Sequence, residues 1–240
     1  MKMTRKFIPA LVMLIVSAIM LSTASFAWFA TSTTVNANNM TVTANANTKF
    51  LQISNAIGGT YDTKANASTA SANVDLVHAN FEGTTISWYT GTSNKTNDKG
   101  STNAEALVFG DEEGDPKIED YALVNKFWFK MSSTSNANAT NLRVSAVEVT
   151  NGSSSIGNAL RVLVKGPDGV QLWSNATGTF AKDASSANYL ITGEHTIGTT
   201  ANDTNSVEVY VYYDGEDNSA TSDNAGSLTD MTVSVTFDAD

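Results

Sequence analysis

The sequence predicts an all-β protein, an antiparallel β-sandwich of jelly-roll type with long Asn/Thr/Ser/Gly-rich loops and few short helical turns. Three observations carry this. After Ala27 the apolar residues recur at every second position in short runs, which is the period of a strand. Turn-rich stretches such as "SNAIGGTYDTKANAS", "TGTSNKTNDKGSTN" and "KGPDG" separate the runs. No convincing amphipathic helix follows Ala27. Half-buried strands joined by such loops read as an antiparallel sandwich, and their number fits a jelly roll.

In chain order, "MKMTRK" is a short basic region and "FIPALVMLIVSAIML" an apolar run of signal-peptide length. Ser25-Phe26-Ala27 meets the small-x-small requirement for cleavage after Ala27, with Ser22-Thr23-Ala24 as second choice. Residues 1–27 are therefore assigned as a signal peptide. The competing reading is an uncleaved anchor from Phe7 to Phe29. Both readings place the remainder outside the cytoplasm, with membrane contact only during secretion. Residues 28–38 form an N-terminal extension, and 39–240 a single β-sandwich domain.

The extension raises a question of parity. Phe29, Val35 and Ala37 share one face of an extended chain; Met40, Val42 and Ala44 share the other. The break falls at Asn38-Asn39, a turn-prone pair. One strand cannot bury both sets on one face without a bulge. Two short strands result. Thr41 to Ala44 starts the molecule's own sheet. Trp28 to Ala37 is either a strand free to pair with a neighbour's edge, or a tail or edge strand of its own domain.

Further on, "LVNKFWFKM" places Leu123, Phe127, Phe129 and Met131 on one face, with Lys126 and Lys130 opposite. "NLRVSAVEVT" changes phase between Val144 and Val147, which predicts a bulge near Ala146. "ALRVLVK" aligns Leu160, Val162 and Val164, and "NSVEVYVYY" aligns Val207, Val209, Val211 and Tyr213. The final run aligns Met231, Val233, Val235 and Phe237. Short helical turns are expected in "NAEALVF" and "ASSANYLI". Trp128, Tyr210 and Tyr212 fall on the phase opposite the core, so another layer covers them or they face a partner.

Composition limits function. The 240 residues carry a net charge of −10, with 16% charged residues and no cysteine. An acidic chain repels phosphate backbones, which argues against nucleic acid as a partner. The lack of cysteine removes thiol nucleophiles and thiolate metal sites. The two histidines, His78 and His195, belong to no HExxH helix and read as ordinary loop or strand residues rather than a zinc pair. No GxSxG elbow, GxGxxG or P-loop pattern occurs. No catalytic residue is assigned, and the chain is not read as an enzyme.

Two acidic loops offer carboxylates. "GDEEGDP" holds Asp111, Glu113 and Asp115, and "YDGEDNSATSDN" holds Asp214, Glu216 and Asp217. Calcium takes six to eight oxygens from flexible loops. Solvation is the preferred reading of such clusters, and these six residues are only weak calcium candidates. No cofactor is assigned.

The junction "FAWFATSTTVNANNMTVTA", the pair of strands in "LVNKFWFKMSSTSNANATNLRVSAVEVT", and the ending "VEVYVYYDGEDNSATSDNAGSLTDMTVSVTFDAD" together resemble the TasA/camelysin family of Gram-positive bacteria. These are secreted biofilm-matrix proteins exported through a SipW-type signal peptidase. The resemblance implies an extracellular matrix fibre built from copies of one chain. Its jelly-roll subunit is completed by the N-terminal strand of a neighbour, so Trp28, Phe29, Val35 and Ala37 become the candidate donor strand. The signal peptidase is then a partner during export. The family also carries a metal-dependent peptidase label through camelysin, for which this chain has no metal-ligand motif. The alternative outside the resemblance is a secreted β-sandwich binding module for carbohydrate or a surface ligand.

Overall fold

The computed structural model describes residues 41–44, 51–69, 74–75, 77–82, 84–90, 106–135, 137–150, 158–175, 179–217 and 232–240. All lie in one compact unit, Thr33–Asp240. The extension residues Trp28, Phe29, Val35 and Ala37 and the cleavage residues Ser25 and Ala27 fall outside the described residues.

The described residues form three layers of strands. One sheet has the order β3-β1-β13-β8, built from β1 (Thr41–Ala44), β3 (Lys64–Asn66), β8 (Arg143–Thr150) and β13 (Thr232–Asp238). The middle sheet has the order β11-β10-β9-β12-β7-β2. Its strands are β2 (Leu51–Ser54), β7 (Leu123–Met131), β9 (Leu160–Lys165), β10 (Val170–Ser174), β11 (Ala181–Lys182) and β12 (Ser206–Tyr213). A small third sheet orders β4 (Val77–Glu82), β5 (Thr85–Thr90) and β6 (Ala106–Leu107).

The main core lies between the first two sheets. Val42, Val144, Val147, Val233, Val235 and Phe237 from one side meet Phe127, Phe129, Met131, Val162, Val164 and Val209 from the other. Phe129 and Phe237 pack edge to face with ring centroids 5.0 Å apart. The alternation in β7 and β13 is the sequence-level cause: every second residue is buried along both strands.

The middle sheet is buried on both faces along β9 and β12. Leu163, Val170, Tyr210 and Tyr212 point away from the main core and form a second cluster with Val77, Ala79 and Trp88. This explains why "VEVYVYY" is apolar in both parities after Glu208. Trp88 packs edge to face against Tyr212 and tilted against Tyr210, with centroids 5.3 and 5.6 Å apart. Tyr210 and Tyr212 are therefore covered by another layer. Burial pushes both phenols well above their ordinary range, and at Tyr210 the carboxylate of Glu208, which accepts its hydroxyl at 2.6 Å, adds to this.

Thr41–Ala44 is a strand, as the parity argument requires. Its pairing is a finding: β1 runs parallel to β13, whereas the other strand pairs are antiparallel. The first described strand and the last thus lie side by side, and the intervening domain serves as their crossover. The bulge is present in β8. Ala146 faces Thr236 and Val144 faces Phe237, leaving Ser145 as the extra residue, and its hydroxyl donates to the Thr236 carbonyl at 3.2 Å.

The helical turns fall elsewhere than expected. Ala106–Leu107 is a strand, because it completes the β4-β5 sheet, and 184–191 is a chain of turns. Single 3-10 turns occur instead at Ile118–Asp120 and Asp203–Asn205, the latter capped by the Asn202 side chain accepting from the Thr204 amide.

Candidate functional site

The functional question turns on a sheet edge, two histidines, two acidic loops and one half-buried aromatic face.

The first sheet ends at β8. Among the described residues no strand pairs with the outer edge of β8. At its start the Val144 amide is satisfied by Gln171, whose Oε1 accepts it at 3.0 Å. The fully buried Gln171 in turn donates to the carbonyls of Ala187 and Asn188 at 3.0 and 2.8 Å. One amide side chain thus ties β8 to the 186–191 segment and satisfies itself. Residues 145–150 continue beyond that tie. By contrast the outer edge of β10 is occupied: Asp183 and Ala187 amides donate to the Leu172 and Val170 carbonyls. The edge strand β3 has three residues, too short to template much pairing.

His78 and His195 are not brought together. Asp214, which holds His78, is bonded to Ala159 just before β9, and Asp168, which holds His195, lies in the turn after it. The six residues of β9 separate the two ends, about 20 Å. His195 Nδ1 lies 2.9 Å from Asp168, and the Thr192 hydroxyl donates to the same carboxylate at 3.1 Å. Hydroxyl and imidazole converge on one acceptor instead of forming a nucleophile–base–orienter relay. Burial works to raise the Asp168 pKa, but the Thr192 amide, His195 and the Thr192 hydroxyl outweigh it and hold the carboxyl below its usual range.

His78 sits between Asp214 (Nδ1 to Oδ1, 3.0 Å) and Asn80 (Nε2 to Oδ1, 3.0 Å), with Glu216 at 3.8 Å. Burial alone would depress the imidazole. The hydrogen bond and charge of Asp214, then Asn80 and Glu216, reverse this and raise its pKa. A histidine raised on folding stabilises the fold fully below its unfolded value of about 6.5, and that stability fades as pH climbs through the folded value. His78→Leu should therefore lose most stability, relative to the parent, near pH 5, with the gap narrowing by about pH 8.5. Urea melts at both pH values measure this; a gap independent of pH would mean that the ring acts through packing alone.

The acidic loops differ. Asp111, Glu112, Glu113 and Asp115 are exposed around Gly114, whose φ of 97° lies in the left-handed region that favours glycine. Lys117 donates to the carbonyls of Gly110 and Glu112, so an ammonium binds the main-chain oxygens of this loop. In the second loop Asp214 and Asp217 both pair with Arg161, at 3.2 and 2.9 Å. The sequence reading missed Arg161, since its partners lie more than fifty residues away. Among the described residues no group of three or more His, Cys, Asp or Glu side chains is arranged to hold a metal ion.

Of Trp128, Tyr210 and Tyr212, Trp128 is the one left outside the two hydrophobic clusters. Its indole N–H donates to Asp203 at 2.9 Å. Tyr61, on the loop before β3, is its companion on this face through Lys130, whose ammonium lies 4.5 Å from the Tyr61 ring centroid. Lys126 lies 5.2 Å from the Trp128 centroid.

Comparison with protein-family models, curated proteins and solved structures finds no match. The functional reading rests on the chain itself.

Proposed function

We propose that the protein is a secreted structural subunit of an extracellular fibre or biofilm matrix, a jelly-roll-type sandwich polymerising by donation of its N-terminal strand to a neighbouring copy. The observation that carries this is an eight-residue edge strand, β8, with no outer partner among the described residues, in a chain whose sequence before β1 is strand-patterned. Strand addition supplies main-chain hydrogen bonds for affinity and alternate side chains for fit.

Chain length supports donation to another copy over folding back. A strand outside β8 lies three strand spacings from β1, about 14 Å. The four steps from Ala37 to Thr41 cover about 14 Å fully extended, leaving nothing for the turn around the sheet end.

Deleting Trp28–Ala37 from the mature chain should leave a folded domain that forms no fibres. Val35→Asp should weaken assembly more than Thr34→Asp, because adjacent residues face opposite sides of a strand. Sedimentation and electron microscopy of the three variants provide the check. Normal fibres from the deletion would overturn strand donation, and equal effects from the two substitutions would overturn the register.

A further inference from the structure

The face carrying Trp128 is built rather than incidental. On β7, Lys126, Trp128 and Lys130 project from the side opposite the main core. Trp128 stands between Ser54 of β2 and Ser206 of β12, its cross-strand partners. Both serines are small and buried, and Trp128 between them is half-buried. The Asp203 carboxylate fixes the ring's orientation through its N–H. Tyr61 is held beside β2 because its neighbour Asp62 pairs with Ile53 in both directions, at 2.7 and 3.1 Å, and its own hydroxyl donates to the Ile57 carbonyl.

The lysines are notable in a chain of net charge −10. Neither Lys126 nor Lys130 forms an ion pair among the described residues; each ammonium lies over an aromatic ring instead. Of the nearby carboxylates, Asp203 accepts the Trp128 N–H and Glu208 accepts the Tyr210 hydroxyl. The result is a straight row of cation, aromatic and cation, with about 7 Å between successive residues on one face.

We propose that this face binds an acidic polysaccharide, a sugar ring stacking on Trp128 and uronate carboxylates meeting Lys126 and Lys130. Stacking requires a flat, oriented ring with an accessible part, which the half-buried Trp128 supplies. Sugar hydroxyls require acceptors beside it, and Asp203, Glu208 and Gln52 flank the row. A nucleic acid would need a positively charged groove along its whole backbone, which two lysines on one strand do not form. An acidic peptide would use the lysines but not the ring. At physiological ionic strength charges beyond about 8 Å are screened, so the two contacting lysines outweigh the distant net charge. The inference concerns a single copy and stands apart from the fibre reading.

The test is titration calorimetry of the mature chain with polygalacturonate, with neutral dextran and with poly-glutamate. Polygalacturonate should bind and dextran should not. Trp128→Ala should weaken binding about tenfold, the loss of one aromatic stacking contact, while Trp128→Phe keeps most of it. Lys126→Gln with Lys130→Gln should weaken it at least as much. Because Trp128 lies outside both cores, these variants should melt like the parent. No binding of polygalacturonate, binding insensitive to Trp128→Ala, or equal binding of poly-glutamate would each overturn the proposal, the last in favour of an acidic protein partner.

Discussion

Arg161→Leu should destabilise the domain by about 3 kcal/mol, the cost expected when one partner of a largely buried charge cluster is removed and the others stay. The guanidinium has little contact with solvent, its side chain being 11% exposed, and it spans two carboxylates, Asp214 and Asp217. It also donates to the carbonyls of Asn158 at 2.6 Å and Leu160 at 3.2 Å, which fixes the entry into β9. Without it, Asp214 keeps only His78 as a counter-charge among the described residues, and Asp217 loses its guanidinium partner. Leu in place of Arg fills part of the volume but neutralises nothing. For a domain of this size the loss corresponds to a drop of about 6–12 °C in melting temperature. Two controls separate charge from packing. Arg143 pairs with Asp238 and Asp240 but is 31% exposed, so Arg143→Leu should cost about 1 kcal/mol or less. Adding Asp214→Asn and Asp217→Asn to Arg161→Leu should recover most of the lost stability, since no stranded charges then remain. If the triple variant melts no higher than Arg161→Leu, the guanidinium acts through its carbonyl contacts instead.

The cluster also shows where sequence reasoning stops. His78 and Asp214 lie 136 residues apart, and nothing local to either predicts the other. The alternating strands were legible because a two-residue period reports directly on one buried face: β7, β12 and β13 bury the residues their patterns assign. The bulge in β8 was legible for the same reason, as a change of parity between Val144 and Val147. The third layer was announced only indirectly, by a strand apolar on both faces at Tyr210 and Tyr212. Among the described residues its strands "VHANFE" and "TISWYT" bury only Val77, Ala79 and Trp88, too few to stand out against the loops around them. The parallel pairing of β1 with β13 has no local signature, since register and direction are set by what the rest of the chain leaves open. At the half-buried aromatic face, Trp128 was flagged by its phase, but Asp203 and Tyr61, which orient and extend it, arrive from distant loops.

Gly166→Ala should cost still more, about 3–5 kcal/mol, as overpacking together with the loss of two or three hydrogen bonds. In the sequence Gly166 is one of the punctuating glycines of "KGPDG", and its turn role is real: its amide donates to the Gly169 carbonyl at 2.9 Å. The stricter demand comes from the 186–191 segment that crosses this turn. A Cβ on Gly166 would stand 2.2 Å from the Leu190 carbonyl oxygen and 2.7 Å from its carbon, and backbone cannot swing aside as a side chain can. Relief requires Leu190 to move. Its carbonyl accepts from the Asp168 amide, and its own amide donates to the Leu142 carbonyl at 2.7 Å. Ile191 pairs with Leu142 in turn, and all three apolar side chains are fully buried. Displacing the segment therefore opens the core beside the start of β8, where Gln171 secures the same segment through Ala187 and Asn188. Gly193 offers the matched control on the same stretch, because a Cβ there meets nothing within 4 Å. Gly193→Ala should change stability by no more than about 0.5 kcal/mol. Urea denaturation of both variants decides the matter: a Gly166→Ala protein as stable as Gly193→Ala would show that the crossing segment yields freely, and that β8 owes its position to β13 alone.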